Sequence, residues 1–352
     1  MYRVEQIREY CVDQLHIKLP SFRLKQLEKA FLNVSYSSFL EVTVLPKDLR
    51  EKLDAKFKWM SIVSKRVFES KNKDTYKAVL KAEDGQLFES VLMHNNRGQW
   101  TICVSSQVGC AMGCTFCATG KMGLIRNLEA HEIIDQYRFW QTYLMGNQTI
   151  IQKRISNIVF MGMGEPMANY DNVKKAINVL LEYTDLGPTK ITVSSVGVLT
   201  NLNRLLKDDA WPPVRIAISL HSPDEIERKK IVPTSIPGFH EKLIEWSHAY
   251  ARAFASRSHH VTYEYTLING VNDRVEDAHA LGEFISKTAI SKVNVIPLNP
   301  VAGTGFERSD QSQIKKFKDI VVSYGLDCTQ RKTMGDDIDA ACGQLAKLES
   351  DN

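Results

Sequence analysis

The sequence predicts an α/β fold: a partial barrel of six parallel strand–helix units, preceded by a small helical module and an adjoining small sheet. Three observations predict it. Short β-branched segments alternate with helical ones from residue 96 onward, glycine or polar residues close those segments repeatedly in one N-to-C direction, and the first 58 residues carry helical periodicity.

VEQIREYCVDQL, SFRLKQLEKAFL opening at Ser21, and PKDLREKLDAKF read as amphipathic helices, giving a helical module over 1–58. Pro46 suits a first helical position, and Leu49, Leu53 and Phe57 recur every four residues. From Ser61 the pattern turns to strands. TYKAVLKA and QLFESVLM flank Glu83, Asp84 and Gly85, a hairpin signal that defines a small β extension over 59–95. The main domain, 96–345, has six candidate strands: TICVSS, RISNIVFMG, PTKITVSSVG, PVRIAISLH, HHVTYEYTLI and SKVNVIPLN. Segments 129–144, 172–183, 239–254, 273–286 and 310–324 have helical length and period, and 346–352 reads as a polar tail. A doubly wound sheet shares this rhythm; an open barrel is favoured because it surrounds a ligand with the strand ends, where α/β active sites gather.

The composition, 43% hydrophobic and 24% charged, is that of a folded chain with a sizeable core. The charged N-terminus and the absence of an apolar run near 18 residues argue against export and membrane spanning, so a cytoplasmic, membrane-free protein is expected. Seven cysteines in that setting point to metal binding or catalysis rather than a disulfide framework. The net charge of +4 identifies no partner, but 18 basic against 13 acidic residues in the first 100 would start any phosphate attraction at the N-terminal end.

The strongest local signal is VGCAMGCTFCATGKMG, with Cys110, Cys114 and Cys117 in a C-x3-C-x2-C arrangement after the first expected strand. Three soft thiolates can bind a cubane iron–sulfur cluster and leave one iron open. A structural zinc site lacks a nearby fourth cysteine, although Cys103 or Cys342 could supply one through folding. FMGMGEP adds Gly162, Gly164 and Glu165 at the next strand end, where missing side chains allow close ligand approach and a carboxylate can meet an amine. The same residues also suit an ordinary tight turn.

The cysteine spacing, with Phe116 before the third cysteine, resembles the radical S-adenosylmethionine superfamily. The resemblance implies a partial barrel of radical-SAM type and one [4Fe-4S] cluster held by Cys110, Cys114 and Cys117, whose free iron takes the methionyl amine and carboxylate of S-adenosylmethionine. It also implies cofactor contacts from Gly164, Glu165, Ser194, Ser219, Leu220, His221 and Asn299.

A fuller likeness covers nearly the whole chain. CVSSQVGC, FCATG, VFMGMGEPMANYDNV, AISLHSP, VNDRVEDAHAL, IPLNP and RKTMGDDIDAACGQL resemble the enzymes that methylate adenine C2 in large-subunit ribosomal RNA and, in some members, transfer RNA. That likeness implies Cys342 as methyl acceptor, Cys103 as the cysteine that resolves a protein–RNA adduct and leaves a disulfide, and Glu89 as proton acceptor. Two molecules of S-adenosylmethionine would be consumed per methylation. Read locally, Cys103 and Cys342 are also compatible with core packing and Glu89 with an exposed strand acid.

The GQW segment before Cys103 resembles the C8-methylating, antibiotic-resistance sister group, and Met334 departs from a basic residue common in the C2 group. C8 methylation is therefore the alternative, and a noncatalytic RNA-binding iron–sulfur protein the alternative of another class. Arg23, Lys25, Lys29, Lys47, Arg50 and Lys52 are expected to meet RNA phosphate, with Arg126, Arg331 and Lys332 nearer the catalytic loops. The resemblance further implies a flavodoxin or ferredoxin reductant; a monomer is expected.

Overall fold

In the computed structural model, which describes residues 2–95, 97–254 and 260–345, the chain opens with helices α1 (Arg3–Asp13), α2 (Ser21–Phe31) and α3 (Lys47–Lys56). The expected polar tail, 346–352, lies outside the described residues. α3 begins one residue later than read, because Pro46 has a non-helical ψ of 144° and serves as the N-cap. Ile7, Leu27, Phe39, Leu49 and Leu53 from this module are buried in the same apolar core as the sheet, at about 1.5–3 kcal/mol for each large side chain. Polar ties fix its position. Arg3 pairs with Glu83 at 2.8 Å, and Tyr183 donates to Glu28 at 3.0 Å. Arg138 donates to the Trp59 carbonyl at 3.0 Å while lying over the Phe31 and Trp59 rings.

Strands β1 (Ile62–Glu69), β2 (Thr75–Ala82) and β3 (Leu87–His94) form an antiparallel meander. β3 pairs antiparallel with β4 (Trp100–Cys103), so the meander extends the main sheet. From β4 a parallel ladder runs through β7 (Ile155–Phe160), β8 (Ile191–Ser195), β9 (Arg215–Ser219), β10 (Val261–Leu267) and β11 (Ser291–Pro297). These are the six expected strands. A seventh, β12 (Asp327–Gln330), adds to β11 and is absent from the sequence reading. The ten-stranded sheet ends at β1 on one side and β12 on the other, so among the described residues the barrel stays open. β5 (Gln107–Gly109) and β6 (Leu124–Asn127) make a separate ribbon beside the cysteine loop.

Helices alternate with these strands: α4 (Ala118–Lys121), α5 (Ala130–Gly146), α6 (Tyr170–Tyr183), α7 (Leu199–Leu205), α8 (Glu225–Ile231), α9 (Phe239–Phe254), α10 (Val275–Ser286) and α11 (Gln311–Ser323). α5 shows why. A capping box between Glu129 and Glu132 starts it, and Ile133, Tyr137, Trp140 and Leu144 follow at helical spacing on its buried face. No helix among the described residues is long and apolar enough to cross a membrane.

Candidate active site

The cysteine loop is held tightly at both ends. Gly109 has φ +74°, and a Cβ there would stand 1.9 Å from the Gly123 carbonyl oxygen, which instead accepts a hydrogen bond from Cys110 N at 2.8 Å. Gly120 passes so close that a Cβ would fall 2.8 Å from Cys114 O. Thr115 N donates to Ile231 O at 3.0 Å and Ala118 N to Gly343 O at 2.8 Å, tying the loop to the end of α8 and to the Cys342 loop. Cys110, Cys114 and Cys117 consequently line one cavity of about 150 Å3 at the C-terminal ends of the strands. Burial, the largest cause in each case, pushes all three thiols above their ordinary range, Cys110 to about 12. Thiols in such a site ionise when iron compensates the charge.

This donor set suits a cubane cluster: three soft sulfur ligands line one cavity together with glycine and polar residues. Among the described residues these three sulfurs line the cavity without forming a preassembled metal-ion site.

Facing the cysteines, Gly162, Gly164, Glu165, Ser194, Ser219, His221 and Asn299 line the same cavity. A Cβ on Gly164, whose φ is +98°, would lie 2.5 Å from Gln107 Cβ. That close approach lets Glu165 N donate to Gln107 Oε1 at 2.8 Å. The buried Glu165 carboxylate accepts from Met167 N at 2.9 Å and Val196 N at 2.8 Å; burial raises its affinity for a proton and these donors oppose that. His221 is a non-glycine residue at φ +59°. Its Nδ1 accepts from Thr266 N at 3.1 Å, which puts the proton of the neutral ring on Nε2. Burial, then Arg228, lowers this imidazole to about 3. Leu220 stands outside the cavity: it is fully buried, with its amide donating to Glu264 O at 3.0 Å.

A second cavity, about 70 Å3, is lined by both Cys103 and Cys342. Met161, Ile296, Asn299, Arg331 and Cys342 border both cavities. Cys103 ends β4 and is buried, whereas Cys342 is exposed on the loop after β12; both are free thiols. Asn299 Nδ2 donates to Cys342 O at 3.0 Å and fixes that loop, while Asn299 Oδ1 accepts from Arg308 at 2.9 Å. Arg331 is held by Val295 O, Met161 Sδ at 3.1 Å and Glu264 Oε2 at 3.6 Å. Burial raises the Cys103 thiol to about 12; the nearby Cys342 adds to the rise and the Arg331 charge opposes it.

Glu89 lines neither cavity. It is completely buried on β3, 3.0 Å from Lys77 Nζ, and not the exposed strand acid that its local sequence suggests. Covering of both faces of the central strands accounts for the difference. Arg126 is likewise committed internally, with bidentate contacts to Glu132 at 2.8 Å and a contact to Asp84 at 2.5 Å. Lys332 borders the second cavity. Sequence reasoning missed Arg228, Met161 and Glu264. Arg228 is buried beneath the cofactor side, donating to Leu220 O at 2.9 Å, Val196 O at 2.6 Å and Ser219 O at 3.3 Å. Its only local signal, a basic residue in the last turn of a short helix, reads as a solvated charge.

The model of the Radical SAM superfamily matches residues 104–281. A probable dual-specificity RNA methyltransferase RlmN of Dictyoglomus turgidum is 40% identical over 332 residues, covering 94% of this chain and 91% of that protein. Its Aquifex aeolicus counterpart is 35% identical, covering 97% of each. The ribosomal RNA large subunit methyltransferase N of Nitrosopumilus maritimus is 39% identical, covering 87% of this chain and 86% of its own. A radical SAM methyltransferase from Sphaerobacter thermophilus superposes with a TM-score of 0.86 at 34% identity, covering 98% of this chain and 97% of that one. With the cysteine loop and the surrounding strand ends in this arrangement, the chain belongs to the radical SAM superfamily and, within it, to the methyltransferase family of these relatives.

Proposed function

We propose that the protein methylates C2 of an adenine in large-subunit ribosomal RNA and in transfer RNA, through a methyl group first carried on Cys342. One observation carries this reading. Cys342 borders both the cavity of the cluster cysteines and the cavity of Cys103, so one side chain can take up a carbon on one side and surrender it on the other. The dual-specificity RNA methyltransferase names of the relatives support the RNA substrate.

Cys110, Cys114 and Cys117 would hold a [4Fe-4S] cluster, and Gly164, Glu165, Ser194, Ser219, His221 and Asn299 would bind S-adenosylmethionine, with Leu220 acting through its backbone. When bound, these groups supply a methyl donor and a reductively generated adenosyl radical. Cys342, exposed and held by Asn299, presents its sulfur to that chemistry. Cys103 then attacks Cys342 Sγ: a sulfur–sulfur bond forms, the sulfur–carbon bond breaks, and the bonding pair stays with the departing carbon, which takes up a proton. Arg331 favours the attacking thiolate. Glu89, which lines neither cavity, takes the proton lost from the adenine ring once the wall between its carboxylate and the cavities opens. A flavodoxin or ferredoxin donates the electrons, and the enzyme works as a cytoplasmic monomer.

Anaerobic incubation with each RNA, S-adenosylmethionine and a reductant, followed by nucleoside mass analysis against standards, tests the reading. C2-methyladenosine is expected from both RNAs. The C8 isomer would establish the sister activity instead, and a bound cluster with no methylated nucleoside would favour a noncatalytic RNA-binding role.

A further inference from the structure

Beneath the loop that carries Cys342 lies a buried ion pair with a third connection. Lys77 on β2 and Glu89 on β3 occupy diagonal positions of the antiparallel ladder, where Val79 faces Glu89 and Lys77 faces Val91. Lys77 Nζ stands 3.0 Å from Glu89 Oε1, with both side chains removed from solvent. The same ammonium donates to the Asp339 carbonyl at 3.4 Å. Asp339 has φ +51° and closes the short turn Asp336–Ile338, shortly before Cys342. Its neighbours on the loop are tied to the same meander: Lys71 N donates to Asp337 at 2.8 Å, and Gly335 packs so closely on Thr75 that a Cβ would meet its Cγ2 at 2.6 Å. Within this contact Lys77 supplies the charge.

Resting on the role assigned to Glu89 above, we propose that Lys77 is a positioning residue that joins the proton acceptor to the methyl-carrying loop. The opposite charge makes the carboxylate the form that a dry site can hold, and the remaining donor fixes the loop backbone relative to it. The two contacts of Lys77, to the Glu89 carboxylate and to the Asp339 carbonyl, are separate, so the loop stays held when Glu89 takes a proton. Lys77 thereby keeps the proton acceptor and the Cys342 loop in one fixed arrangement when Cys103 attacks.

The test compares Lys77→Met, Glu89→Gln, their double variant and Lys77→Arg, each reconstituted with cluster. Lys77→Met removes the Lys77 donor from the Asp339 carbonyl, so alkylation of Cys342, read by peptide mass, becomes about fivefold faster. Glu89→Gln leaves that tether and the alkylation rate unchanged. In single turnover from methylated Cys342, Glu89→Gln slows adduct breakdown about a hundredfold. Lys77→Met slows it about tenfold or more, and the double variant matches Glu89→Gln because Lys77 acts through the carboxylate. Lys77→Arg keeps the charge and sustains turnover.

Wild-type alkylation and turnover in Lys77→Met would overturn the proposal. So would a double variant that multiplies the two losses, or Lys77→Arg failing as Lys77→Met does. If Lys77→Met does not fold, the double variant decides: it should be alkylated faster than Glu89→Gln, and equal rates would overturn the proposal. A wild-type enzyme that methylates no adenine would defeat the proposed function alone, leaving the alkylation comparison to judge the link between Lys77 and the loop.

Discussion

Raising the pH should accelerate the step in which Cys103 displaces the nucleic acid from Cys342. Burial raises the Cys103 thiol from 9.0 to about 12. At pH 7 the thiolate is then roughly one part in 100,000 rather than one in 100, a handicap of about 4 kcal/mol. Part of the rise comes from Cys342, which is uncharged once it carries carbon, but burial, the largest cause, remains. The sign follows directly: the working range lies below the thiol's pKa, so each pH increment of one between 7 and 9 yields about tenfold more thiolate and a tenfold faster step. The adduct is accumulated anaerobically at pH 6.5, jumped to pH 7, 8 or 9, and its decay followed on denaturing gels. Arg331→Met, which removes the charge opposing the rise, should slow decay about tenfold at each pH. A decay rate that is flat, or that levels off near pH 8, would refute this account of Cys103.

Alanine at Cys110, Cys114 or Cys117 should abolish the cluster's charge-transfer absorbance and the formation of 5′-deoxyadenosine; Cys342→Ala should keep both but form no adduct, and Cys103→Ala should accumulate the adduct. Gly164→Ala places a Cβ 2.5 Å from Gln107 at φ +98°, so it should cost about 2 kcal/mol and weaken S-adenosylmethionine binding roughly thirtyfold in equilibrium dialysis. His221, lowered to about 3, should make stability pH-dependent. Below pH 6.5 the unfolded imidazole takes up a proton that the folded one refuses, so about 2 kcal/mol present at neutral pH should be lost by pH 5. His221→Asn, tolerant of the positive φ, should remove that share of the loss in urea titrations, and an unchanged pH dependence would contradict it.

The alternating strands and helices were legible because each parallel strand is a short apolar run closed by polar or glycine residues, and FMGMGEP even exposed which end faces the ligand. β12 was not, because DCTQ is four residues long with a single buried position, too little pattern to separate an edge strand from a loop. α7 and α8 are seven residues each, below the length at which periodicity speaks. At the site, the cysteine triplet is local in sequence and therefore visible. The meeting of Cys103 with Cys342 depends on where β12 returns the chain, and only the resemblance anticipated it. The ion pair of Glu89 escaped because alternation on a strand reports one covered face, whereas β3 is covered on both.

The open edge of the sheet has a consequence for the order of assembly. Residues 335–345 lead from the β12 side back to β2 through Lys77, to the turn before β2 through Lys71, and to the cysteine loop through Gly343. These contacts join distant parts of the chain, so their loop-closure entropy is recovered only after the sheet exists. A nascent chain can therefore complete every strand and its cluster loop before it owns a methyl acceptor. In the folded protein the same segment should open locally well below the free energy of global unfolding, a difference that amide exchange would register as early loss of protection around Ala340 and Gln344.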